Sequence, residues 1–140
     1  GLIVDKVDLS TDQEWSNLYY VEIGASAQSL WDGLSNSNAI VNQPGHTGSA
    51  AALCLNSTNG GQTDWYLPSI QELNMLWNNY FTVARALSQI PGAAQLAPSS
   101  YWSSSESYDD SARVFTFSSG YAISGSVKSN TDDVRAVRAF

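Results

Sequence analysis

Between Ala112 and Ser118, bulky apolar residues alternate with others at a period of two, sending Phe115 and Phe117 to one side of a strand and Val114, Thr116 and Ser118 to the other. The phenylalanine side is predicted to meet the core and the opposite side to face solvent. Residues 101–103, 121–127 and 134–140 also read as short strands, separated by Ser, Asp, Gly and Asn. Residues 1–8 alternate too and begin abruptly, which predicts a strand cut from a longer hairpin, with the chain truncated upstream. Ser10-Thr11-Asp12, followed by Glu14, carries a capping signal and predicts a helical turn that lays Trp15 on the core.

Helical spacing dominates the middle of the chain. Residues 35–42 and 48–55 predict brief helices around a Pro44-Gly45 turn, and residues 63–67 a short strand. Pro68-Ser69 opens the strongest helix, with Ser69 as cap, Glu72 three residues on, and Ile70, Leu73, Leu76 and Trp77 on one face. A further helix over 81–90 ends at Pro91-Gly92. Helices first and strands last predict an α+β domain. Its 140 residues, 43% of them hydrophobic, suit a single domain spanning 1–140.

Only 14% of the residues are charged, and the net charge of −7 rests on six basic side chains. Phosphate binding needs a clustered Lys/Arg footprint, so nucleic acid is excluded as a partner. No apolar run reaches spanning length, so direct membrane insertion is not expected. Solubility falls to Ser, Asn, Thr, Gln and Gly, a composition common on extracellular and virion proteins.

Catalytic candidates are few. His46 is the one histidine and sits in a Gly-His-Thr turn, where bonding to nearby backbone is the expected role. Cys54 lies among Ala51, Ala52, Leu53 and Leu55, a setting for a buried thiol with no cationic neighbour to activate it. Asp109-Asp110 and Asp132-Asp133 lack the spacing of a calcium loop and read as solvated carboxylates. Glu72 is already used as a helix cap. Trp65, Trp77 and Trp102 stand in apolar motifs and are predicted to be buried scaffold rather than sugar platforms. No enzyme, metal or cofactor is expected.

Three motifs occur in series: Asp64-Trp65-Tyr66-Leu67-Pro68-Ser69-Ile70-Gln71-Glu72-Leu73, Tyr101-Trp102-Ser103-Ser104-Ser105-Glu106, and Val134-Arg135-Ala136-Val137-Arg138-Ala139-Phe140. With Gly45-His46-Thr47, Asn59-Gly60-Gly61, Gly120 and Lys128, they make nearly the whole chain resemble the C-terminal domain family of the collagen-like adhesins. The resemblance implies a C-type-lectin-like fold, with short helices on a small, mainly antiparallel sheet. It also implies kinship with variable proteins of diversity-generating retroelements, including receptor-binding proteins of phage tails, which vary a C-terminal surface on a rigid scaffold. Many family members end in Val-Arg-Cys-Val-Arg, whereas Ala136 stands here, so Cys54 is expected to be a free buried thiol. The sulphated-glycan ligands of the adhesin branch need a basic face that this acidic chain lacks.

The expected function is therefore a display domain at the tip of a phage tail fibre or bacterial surface protein, located on the virion or cell surface. A fixed-specificity carbohydrate-binding adhesin is the alternative. The ligand would be a cell-surface protein or glycan, and the full-length parent a homotrimer. Within 107–133 the predicted ligand-binding residues are Ser107, Tyr108, Asp109, Asp110, Val114, Thr116, Ser118, Tyr121, Ile123, Ser124, Ser126, Ser129, Asn130 and Asp132. Tyrosines set among small polar residues make adaptable recognition surfaces. Arg135 and Arg138 are expected to be scaffold residues paired with Glu106 or Glu72.

Overall fold

The computed structural model describes all 140 residues. Two strands, β1 (Leu2–Val4) and β2 (Ser10–Glu14), precede four short helices: α1 (Gly33–Val41), α2 (Ala50–Leu55), α3 (Ile70–Asn78) and α4 (Tyr80–Ser88). Strands β3 (Ser100–Glu106), β4 (Ser111–Thr116), β5 (Tyr121–Val127), β6 (Thr131–Val134) and β7 (Val137–Ala139) follow. Five strands form one sheet in the order β2-β6-β3-β4-β5, all antiparallel except β3 beside β6, while β1 pairs antiparallel with β7. Helices gathered ahead of a mainly antiparallel sheet make this an α+β, C-type-lectin-like fold.

Strands β3 and β4 lie between two apolar clusters. Trp102 and Val114 are paired in register and join Trp15, Ile40, Trp65 and Val134 on one side; Tyr101 and Phe115, also paired, join Leu73, Leu76, Phe117 and Val137 on the other. This corrects the expected display side of β4. Val114 is 2% exposed because Trp15, Ile40 and Trp65 cover the side that alternation alone assigned to solvent, and Thr116 is 6% exposed between its register partners Ser100 and Tyr121.

Ser10–Glu14 is a strand, not a helical turn. Ser10 does accept from the Asp12 amide at 3.1 Å, but the backbone pairs with β6, and sheet pairing overrides the local cap. Trp15 is buried as expected, its indole N–H donating to the Ser103 carbonyl at 2.8 Å. The strand expected over residues 63–67 reduces to a single bridge between Tyr66 and Val137. Helix α3 carries the predicted capping box: Ser69 Oγ accepts from the Glu72 amide at 3.3 Å, and Glu72 accepts from the Ser69 amide at 2.7 Å.

The arginines find other partners than those expected. Arg135 meets Asp8 at 2.6 Å and donates to the carbonyls of Asp5, Ala94 and Gln95, while Arg138 forks onto Asp64 at 2.6 and 2.7 Å. Glu106 is taken by Lys128, and Glu72 by the Tyr66 hydroxyl. Arg135 closes the first residues of the chain onto the last strands, an anchorage fixed only by tertiary contact.

Candidate functional site

Strand β5 ends the five-stranded sheet, and none of its seven residues is buried. Tyr121 is 55% exposed, Ile123 38% and Val127 40%. Tyr121-Ala-Ile-Ser-Gly-Ser-Val127 holds no charged residue and no proline, the usual blunting devices of an open sheet edge. Between the register pairs Ala112–Ser126 and Val114–Ile123, β5 carries Ser124 and Gly125 against the single Arg113, a bulge in the edge strand.

What holds this edge is closely packed and hydrogen-bonded. Gly120 turns the chain into β5 with φ of 78°, and a Cβ there would lie 2.2 Å from the Trp77 ring, so both the dihedral and the close approach require glycine. On the far side of β4, the run Ser103-Ser104-Ser105 bulges against Arg113 and ties three elements together. Ser103 Oγ donates to the Arg113 carbonyl at 2.7 Å, the Ser104 amide to the Pro68 carbonyl at 2.8 Å, and Ser105 Oγ to the Ser29 carbonyl at 2.8 Å. Ser105 Oγ also accepts from the Ile70 amide at 3.1 Å, satisfying a donor at the start of α3.

A buried ion pair fastens the loop beside the sheet. Glu106 accepts from the Ile23 and Gly24 amides at 2.9 Å and from Lys128 Nζ at 2.8 Å. Lys128 Nζ also donates to the Val21 carbonyl and lies 5.0 Å from the centre of a Trp15 ring. Both carboxylate oxygens and the ammonium nitrogen have partners within the fold, so the chemistry of the pair is structural.

Of the predicted ligand-binding residues, Tyr108, Asp109, Ser118, Tyr121, Ile123, Ser124, Ser129 and Asn130 are exposed; Ser107, Asp110, Ser126 and Asp132 are half-buried. Val114 and Thr116 fall out of the surface. Ala122, Gly125 and Val127 are exposed on β5 and were missed, as was Arg113, which forms no ion pair. Tyr121, Ile123 and Val127 alternate with Ala122, Ser124 and Ser126 as they would in a half-buried strand, so the sequence carries no local signal that both faces lie open.

Burial pushes the Cys54 thiol up, and the nearby Asp5 charge pushes the same way, so the lone cysteine stays protonated. His46 bonds Ser49 Oγ at 2.8 Å rather than backbone, and desolvation lowers its pKa. Nowhere do three or more His, Cys, Asp or Glu side chains converge to hold a metal ion. No helix is long and apolar enough to cross a membrane. Trp65 and Trp102 are buried, but Trp77 is only half-buried: one flank packs on Phe115 and Phe117 at 6.2 and 5.9 Å, while the ring also lines a cleft with Tyr80 and Phe81.

No curated protein matches the chain. The family model for the Lcl C-terminal domain matches residues 7–138, taking in α1–α4, the whole five-stranded sheet, the first two sequence motifs and the third as far as Arg138. By that match the chain belongs to the Lcl C-terminal domain family, the C-terminal domain of the collagen-like adhesins.

Proposed function

We propose that this chain is a non-enzymatic ligand-binding display domain, forming the adhesive or receptor-binding tip of a phage tail fibre or bacterial surface protein. The observation that carries the reading is β5: a seven-residue edge strand with tyrosine, isoleucine and valine exposed among Ala, Ser and Gly, held by a closely packed scaffold. Exposed apolar side chains on an otherwise polar surface call for a partner, and Tyr108, 64% exposed, adds a second aromatic within the 107–133 stretch. The net charge of −7 favours a protein or uncharged glycan over a polyanion. Family membership supports exposure on a cell surface or virion. Retroelement diversification is the origin we assign to the surface, and a threefold stalk its setting in the full-length parent.

A cell-surface and glycan binding screen tests the function. Tyr108→Ala with Tyr121→Ala is expected to abolish binding while the melting temperature stays within a degree or two, because exposed side chains contribute little to folding. Binding unchanged in the double variant would move the site elsewhere. A near-identical asparagine-rich template repeat and a reverse transcriptase gene beside the coding sequence are expected, and their absence would leave an adhesin of fixed specificity.

A further inference from the structure

At the junction of α3 and α4, on the flank of the sheet where Gly120 leads into β5, Trp77, Asn78, Tyr80, Phe81 and Phe117 line an open cleft of about 440 Å³. We infer that this cleft is a second binding site, for an uncharged pyranose ring of a glycan. It stands on observations independent of β5.

Phe117 belongs to the core, and Trp77 and Tyr80, packed against it, carry the aromatic surface out into the wall of the cleft. Trp77 and Tyr80 lie 5.6 Å apart at 44°, Tyr80 and Phe81 5.8 Å apart at 78°, and Phe81 is 87% exposed. A phenylalanine so exposed gains nothing from folding. The polar groups are also unspent. The indoles of Trp15, Trp65 and Trp102 donate to the carbonyls of Ser103, Asn59 and Gln13 at 2.7–3.0 Å, whereas the Trp77 N–H, the Asn78 amide and the Tyr80 hydroxyl have no partner in the chain. These groups are not sealed away, since the buried unpartnered polar side-chain atoms are only Gln43 Oε1 and Arg113 Nε.

Charge selects the ligand class. Of the 13 acidic residues none lies between Glu72 and Glu106, and Arg85 is the one charged side chain in that stretch. Neither a cation nor a polyanion finds a counter-charge in the cleft lining. A pyranose has an apolar C–H face to lay on an aromatic ring and a rim of hydroxyls that both donate and accept. Those hydroxyls match an indole N–H, a carboxamide and a phenol. The volume falls within the range of small-molecule sites. Because Trp77 is locked against Gly120 and Phe115, this site would be invariant while the neighbouring strand changes.

The test is an NMR titration of the intact chain with methyl α- and β-glycosides of glucose, galactose, mannose and N-acetylglucosamine, following the five tryptophan indole N–H signals. A saturable shift of the Trp77 signal with at least one glycoside is expected. Phe81→Ala and Asn78→Ala, both at exposed positions, should each weaken it by about tenfold without changing the melting temperature, and Tyr108→Ala with Tyr121→Ala should leave it intact. That last variant separates this site from the display strand, so either can fail alone. No Trp77 shift with any glycoside would overturn the proposal. So would a shift produced only by a proline-rich decapeptide or a heparin fragment, or one unchanged by Phe81→Ala.

Discussion

Lys128 carries its ammonium into the interior with no side-chain exposure, and Glu106, equally buried, meets it at 2.8 Å. Taking two charges out of water is costly, and the pair survives because backbone groups of the 21–24 loop fill the remaining valences. Lys128→Met strands the Glu106 carboxylate and is expected to cost about 3–5 kcal/mol in urea unfolding. A loss under about 1 kcal/mol would show that the pair is not the fastening described. Gly120 is the second residue whose identity is dictated by its surroundings. Alanine there meets both a left-handed φ and the Trp77 ring, so Gly120→Ala should lower stability by about 2–3 kcal/mol and shift the Trp77 fluorescence. The pairing of Lys128 could not be read from position 128 alone, since its partner lies 22 residues away at the end of β3.

Strands β4 and β5 run side by side, yet one is covered on both faces and the other is open on both. The difference comes from their places in the sheet: β4 lies between β3 and β5, under both apolar clusters, and β5 lies at the edge, beyond their reach. Val114 and Ile123 are register partners, so truncating each isolates the effect of cover. Val114→Ala is expected to cost about 2 kcal/mol through the cavity it leaves, and Ile123→Ala less than about 0.5 kcal/mol. Equal losses in thermal unfolding would contradict the burial difference. Helix α3 starts where its sequence predicts because its start signal is local: the Ser69–Glu72 box spans four residues and needs no distant partner.

Across the molecule, acidity is distributed unevenly, and this sets the response to pH. Desolvation raises the Asp132 carboxyl, with the neighbouring Asp133 charge adding to it, and desolvation also raises Asp133, against the opposing bond from Ser99. Both groups hold a proton more tightly folded than unfolded. The native state therefore gains stability as pH falls from neutral through their raised values, and the gain is complete below the ordinary value of 3.8, where the unfolded chain is protonated as well. Asp32, held down by the Ser35 amide and hydroxyl, acts with the opposite sign and loses its contribution as pH falls through its lowered value. Asp133→Asn should flatten the gain measured by denaturant unfolding between neutral pH and the carboxylate range. A profile steeper in the variant than in the parent would reverse the assignment.

Local signals in the chain determined the α+β class, the capped helix α3, the burial of Trp15, Trp65 and Trp102, and the exposure of Tyr108 and Tyr121. These depend on periodicity and on the size of apolar side chains, both of which act within a few residues. Tertiary structure alone decided that Ser10–Glu14 pairs with β6 instead of coiling, and that Val114 and Thr116 are core. It also decided that Arg135, Arg138 and Lys128 pair with Asp8, Asp64 and Glu106. Period-two alternation says that a strand has two faces but not what covers them, and a charge seeks whichever partner the folded chain brings within reach.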